Sequence, residues 1–221
     1  MKTQIAASVE TMPRRVAAAA IALTAIGFDF WLSWSGQGQY FGPRLAPALL
    51  GLILLLVVVR GRASELGLSH RVRGGYWHWV VLAFWIGVVL AALIGCICLY
   101  WYLTGQTIPL YSTEPTNVFG LFVYACVTAP LVEEVTYRIV LCAGLKPLCG
   151  AKASIVVSGA IFAALHYVYG NPSPDNFLAG YFLTWAFFAS DSIVIPLAMH
   201  SLGNAVAIGS QIGIWYLQNP S

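Results

Sequence analysis

Charge is what this sequence has least of. Asp, Glu, Lys and Arg make up 9% of its 221 residues, against about a quarter in a soluble globular domain. So few charged side chains cannot cover a water-facing surface, and a soluble fold is excluded. The formal net charge of +3 is too small to hold a polyanion, so no nucleic-acid partner is expected. Cysteine carries no pattern either. Cys96, Cys98, Cys126, Cys142 and Cys149 lack metal-ligand spacing, and the first three lie inside apolar runs. They read as small core residues, not as a disulfide framework. The His-Glu-x-x-His helix of many zinc hydrolases is missing. No internal repeat and no low-complexity tail is present.

Apolar residues fill what charge leaves, at 59% of the chain. A bilayer span needs about 20 mostly apolar residues, and about seven stretches qualify: 16–35, 42–59, 77–103, 117–144, 152–169, 177–190 and 191–217. The last two are nearly continuous, and Asp191 and Ser192 mark the turn expected between them. The fold class is all-α, a polytopic transmembrane helical bundle. The first stretch follows Arg14 and Arg15, as a signal peptide would. It is longer than the roughly 7–15 residues of a signal core. Its small residues, Ala17, Ala18, Ala19 and Ala20, stand at its start instead of at a cleavage position. It reads as a retained span.

Basic residues set the orientation. Lys2, Arg14 and Arg15 precede the first span, Arg60, Arg62, Arg71 and Arg73 follow the second, and Lys146 and Lys152 follow the fourth. The opposite loops hold Arg44, Glu114 and Asp175. The positive-inside rule then puts the N-terminus in the cytoplasm and, with an odd count, the C-terminus outside. Aromatic belts agree: Trp31, Trp34, Tyr40 and Phe41 at one outer boundary, Tyr100, Trp101 and Tyr102 at the next, Trp215 and Tyr216 at the last, and Tyr76, Trp77 and Trp79 at an inner one. The sequence Asn-Pro-Ser-Pro-Asp-Asn at 171–176 is the clearest turn cluster. The compact size suits a bacterial host, so the expected location is a bacterial cytoplasmic membrane.

The few charges that remain include some in costly places. The fourth span holds Glu133, Glu134 and Arg138. Each ionised group at a helix centre costs on the order of 2.5–3.5 kcal/mol by insertion scales. Glu134 and Arg138 stand at i and i+4 with the acid first, the favoured order for a helical ion pair. Glu133 points about 100° away from Glu134 and has no cation within a turn of its own helix. It is the candidate general base or acid, unless it only bonds a neighbouring helix. The fifth span ends in Phe162-Ala-Ala-Leu-His166; alone, such a His is as readily structural. In the last span His200 and Asn204 share one face, and an interhelical hydrogen bond would explain them as well. Depth links them. At about 1.5 Å per residue, Glu133, His166, His200 and Asn204 all lie roughly 13–21 Å from the cytoplasmic ends, near the middle of a ~30 Å core. Pro130 and Pro196 each remove a helical hydrogen bond. The carbonyls of Cys126 and Ser192 then need new partners, and a wet cavity is expected beside them.

Glu133-Glu134-x-x-x-Arg138, Phe162-x-x-x-His166 and His200-x-x-x-Asn204, in that order on polar helices, resemble the CPBP family of intramembrane proteases. That family includes the CAAX-prenyl endopeptidases and bacterial abortive-infection-type proteins. Glu65-Leu66-Gly67-Leu68 resembles the usual lead-in, so the resemblance covers about residues 65–210. It divides the chain into an N-terminal two-span segment, 1–64, and a protease-like core, 65–221. It implies a peptidase in which Glu133 activates water with His166 assisting. His200 and Asn204 would stabilise the oxyanion, and Glu134 and Arg138 would support them. A Glu/His/His set can also bind zinc. The missing His-Glu-x-x-His helix favours a glutamate mechanism with no metal and no cofactor.

The expected partner is a membrane-associated protein or peptide cut near the membrane boundary. A lipidated C-terminus, a bacteriocin-like peptide and the C-terminal anchor of a surface protein all fit. Two other classes stay open. A non-catalytic relative would bind a membrane peptide, as in immunity; the intact Glu/His/His/Asn set argues against it. A proton-coupled transporter would also carry intramembrane acids and histidines, but paired halves with matching broken helices are not visible.

Overall fold

The computed structural model describes residues 11–37, 41–106, 112–168 and 174–220. Lys2, Tyr40 and the first three residues of the 171–176 turn cluster lie outside them. Every described element is helical, in agreement with the expected all-α bundle. Helix α1 spans Met12–Trp34 with a proline in its first turn, where a missing N–H costs nothing. Helix α2 is Phe41–Val58, followed by a short 3-10 turn at Ala63–Leu66. Helix α3 is Gly75–Leu103.

A long helical run follows from 118 to 168. It comprises α4 at Val118–Val123, wide π turns at Tyr124–Thr128 and α5 at Ala129–Glu134. A second π segment at Val135–Ala143 leads into α6 at Gly144–Val168. Gly150, at φ 81° and ψ 167°, breaks α6 between the fourth and fifth expected spans. Only glycine takes that conformation without strain. Helix α7 is Pro174–Ser190 and α8 is Val194–Gln218. The turn between them falls at 191–193, with Asp191 at φ 54°, where the sequence placed it.

Met12–Trp34, Gly75–Leu103 and Val118–Val168 are long and apolar enough to cross a bilayer. The protein is an integral membrane protein. Helix length and hydropathy secure these three stretches, against the seven the sequence suggests. Helices α2 and α7 are short, and α8 carries His200, Asn204, Ser210 and Gln211 along its length.

Small residues let the helices meet. A Cβ on Gly144 would stand 2.9 Å from Ala22 Cβ and 3.0 Å from the Ala18 carbonyl, so α1 lies directly on the start of α6. A Cβ on Gly180 would stand 2.9 Å from the Gly159 carbonyl, which closes α6 on α7. This is the close backbone approach typical of membrane helix pairs. The second π segment sits at the centre, with Tyr137, Arg138, Ile139, Val140, Leu141 and Cys142 fully enclosed. Of the five cysteines only Cys142 is buried, and all five are free thiols.

The linker after α2 is sewn to the α7–α8 turn. Arg73 N donates to Ser190 O, Ile193 N to Gly67 O and Ser192 Oγ to Ser69 O, and Arg73 pairs with Asp191. Helix α3 has Trp79 as its one buried residue. That ring joins Ala186 and Ile195 in a small cluster.

Candidate active site

The π turns and the prolines shape the site. In a π turn a carbonyl pairs five residues on, as Tyr124 O does with Ala129 N. In that register the donor for Ala125 O would be Pro130, which has no N–H. Asn204 Nδ2 of α8 donates to Ala125 O at 2.7 Å instead. The carbonyl freed by Pro130 is therefore Ala125's. The sequence, read in α register, pointed to Cys126, one residue away. The second expectation holds: Ser192 O, four residues before Pro196, accepts from Ser190 Oγ at 3.0 Å.

Phe162 is the hub of the cluster. Its ring lies 4.3 Å from the His166 ring, 6.0 Å from that of His200 and 5.3 Å from that of Tyr137. The Arg138 guanidinium sits 5.0 Å from its centroid. His166 Nδ1 lies 2.9 Å from Phe162 O. A carbonyl only accepts, so Nδ1 carries the hydrogen and the neutral ring presents a lone pair at Nε2.

Glu134 has two partners. Arg138 Nε lies 3.0 Å from its Oε2, with both side chains fully enclosed. The N–H is not aimed at that oxygen, so the contact is one of charge. His200 Nδ1 donates to its Oε1 at 2.9 Å. The sequence foresaw the first partner; the second shows that Glu134 also orients His200. With Nδ1 so engaged, His200 Nε2 faces Glu133 Oε2 at 3.8 Å. That gap exceeds a direct hydrogen bond, and a water fits between. Two bonds of about 2.8 Å would close it with an angle of about 85° at the water.

Glu133 does have a cation, from a helix that sequence reasoning did not connect to it. Arg44 Nη1 lies 3.2 Å from Glu133 Oε1. Arg44, assigned to an outer loop from the sequence, is a buried residue in the first turn of α2. Its Nε and Nη2 grip Asp29 of α1 at 3.0 and 3.3 Å. Tyr137 Oη donates to Asp29 Oδ2 at 2.6 Å. Asp29 was missed altogether. The signal was present: one acid inside an apolar span implies a cation at the same depth.

A guanidinium already stands against Glu133 and would repel a dication. Among the described residues no three His, Cys, Asp or Glu side chains converge as a metal site. An open cleft of about 410 Å³ lies at the same end of the bundle, lined by Ser33, Trp34, Tyr167 and Val168. Ser33 is one turn from Asp29, to whose carbonyl it bonds, and Tyr167 follows His166.

The structure thus gathers His166 and His200 around the Phe162 ring, with Glu133 facing His200 at 3.8 Å and Asn204 a turn further along α8. No curated protein and no solved structure gives a significant match to the chain. Residues 115–206 match the family model described as type II CAAX prenyl endopeptidase Rce1-like. That segment is narrower than the resemblance read from the motifs, and it contains all seven residues of those motifs. Over residues 115–206 the chain is thus similar to the Rce1-like CAAX-protease family.

Proposed function

We propose that the protein is an intramembrane endopeptidase in which Glu133 Oε2 activates a water for attack on a peptide bond. The substrate class is a lipidated or C-terminally anchored membrane peptide, cut near the membrane boundary. The observation that carries the reading is the 3.8 Å separation of Glu133 Oε2 and His200 Nε2, with the other atom of each group already engaged. That arrangement aims the Glu133 carboxylate and, with His200 protonated on both nitrogens, the His200 Nε2–H at the same small space.

Three carboxylates and two guanidiniums meet here: Asp29, Glu133 and Glu134 against Arg44 and Arg138. One proton on a histidine makes the cluster neutral. Such a histidine is suited to give its proton to the leaving amine, and His166 Nε2 is suited to relay the proton that Glu133 takes from water. His200 Nε2–H and the second amide hydrogen of Asn204 are the donors for the oxyanion. The reaction needs no metal in this reading; the Arg44 cation against Glu133 supports it. We place the N-terminus in the cytoplasm of a bacterial host, on the strength of the basic loops.

The test uses purified protein in phosphatidylethanolamine/phosphatidylglycerol vesicles with two probes. One is a farnesylated, internally quenched CAAX-type peptide, the other a tail-anchored reporter. Glu133→Gln, His166→Ala and His200→Ala should each slow cleavage by about 10²–10⁴-fold while the protein stays folded. Full activity in Glu133→Gln would remove the reading. Exhaustive chelation should leave the rate unchanged; loss on chelation with recovery on zinc would overturn the metal-free mechanism.

A further inference from the structure

The matched segment contains neither α1 nor α2, yet both helices reach the candidate base. Asp29 lies five residues before the end of α1, Arg44 three residues into α2. They are 1% and 6% exposed. Asp29 and Arg44 already form a neutral, two-pronged pair. A purely structural bridge would be complete there. Arg44 Nη1 instead extends to Glu133 Oε1 at 3.2 Å, and Nη2 is within 3.4 Å of Tyr137 Oη. Tyr137 in turn stands one helical turn after Glu133 and bonds Asp29. The fork has one face on each of three elements, and its position is overdetermined.

This matters because a carboxylate has two equivalent oxygens and three soft torsions. A base must present one chosen oxygen to within about 0.5 Å of its productive place. We infer that Asp29, Arg44 and Tyr137 are a positioning unit, lent by the first two helices, that assigns the oxygens of Glu133: Oε1 to Arg44, Oε2 to water. The inference rests on Glu133 being the base. Arg44 suits the task because its planar fork holds two carboxylates at once; a lysine is a single point charge and holds them poorly. The groups facing Glu133 are Arg44 from α2, His200 from α8 and His166 from α6. Arg44 Nη1 touches Glu133 Oε1 within hydrogen-bond distance, and His200 Nε2 stands 3.8 Å from Oε2.

The experiment separates kcat from KM for the farnesylated peptide in the vesicles described above, with thermal unfolding in detergent as a fold check. Arg44→Gln should lower kcat on the order of 100-fold, the cost of roughly 1 Å of misplacement, with KM within about twofold. Arg44→Lys should recover part of the loss. Asp29→Asn, which keeps its shape, should lower kcat about tenfold through Arg44 and carries the test if Arg44→Gln does not fold. A kcat within twofold of wild type in folded Arg44→Gln overturns the inference, as does a raised KM with kcat unchanged. If the wild type cleaves neither probe, the protease reading fails, and the oxygen assignment is decided by unfolding. Non-additive shifts of Tm for Arg44→Gln and Glu133→Gln support it, and additive shifts sink it.

Discussion

Glu134→Gln tests the centre of the bundle most directly. Glu134 and Arg138 are both 0% exposed, and the 3.0 Å contact between them neutralises two charges that have no water near them. Glutamine keeps the size of the side chain and an oxygen to accept from His200 Nδ1. It removes only the charge. An uncompensated guanidinium then remains in the core, which costs about 3–5 kcal/mol. For a chain of this size each kcal/mol moves Tm by about 2–4 °C, so thermal unfolding in detergent should fall by roughly 6–20 °C. No Arg138 nitrogen has an aligned hydrogen-bond partner among the described residues, and its guanidinium also stands 5.0 Å from the Phe162 ring centroid. Adding Arg138→Met should therefore recover at least half of the loss, because the stranded charge is gone and its volume is filled. A shift below 2 °C in the single variant, or a double variant no better than the single, would refute this account.

Other outcomes follow from the helix contacts. Asn204→Leu leaves Ala125 O without a donor and should cost about 1–3 kcal/mol of stability. Pro130→Ala restores a backbone N–H there, so the cost of Asn204→Leu should shrink in that background; Tm values of the four proteins check it. Gly180→Ala forces a Cβ to within 2.9 Å of the Gly159 carbonyl and should destabilise by about 1–3 kcal/mol. Gly203→Ala meets nothing within 4 Å and should raise the Tm slightly through helix propensity.

Local features of this chain were legible in its sequence. The Glu134–Arg138 pair is a matter of helical spacing, the Asp191–Ser192 turn follows from polarity, and the break in α6 falls between the expected spans ending at 144 and starting at 152. Two features were not. The shift from Cys126 O to Ala125 O depends on π turns, whose register no apolar pattern records. The Asp29–Arg44–Glu133 bridge joins residues 15 and 89 positions from Arg44, and spacing says nothing of which helices will be neighbours. Arg44 looked like a loop residue because it lies near a predicted boundary. Its buried place becomes intelligible only beside Asp29, the sole acid of α1.

The same bridge bears on how the chain enters the bilayer. Helices α1 and α2 leave the ribosome in succession, each with one buried charge, Asp29 and Arg44. Paired with each other, Asp29 and Arg44 leave no unmatched charge at that depth of the hairpin, while Arg14 and Arg15 stand at the start of α1. The next acidic helical run brings Glu134 and Arg138, matched to each other, and one surplus carboxylate, Glu133. The Arg44 guanidinium is then already in place to receive it. Insertion in this order leaves at most one unmatched buried charge per step, and docking of that run on the hairpin coincides with pairing of Glu133 and Arg44.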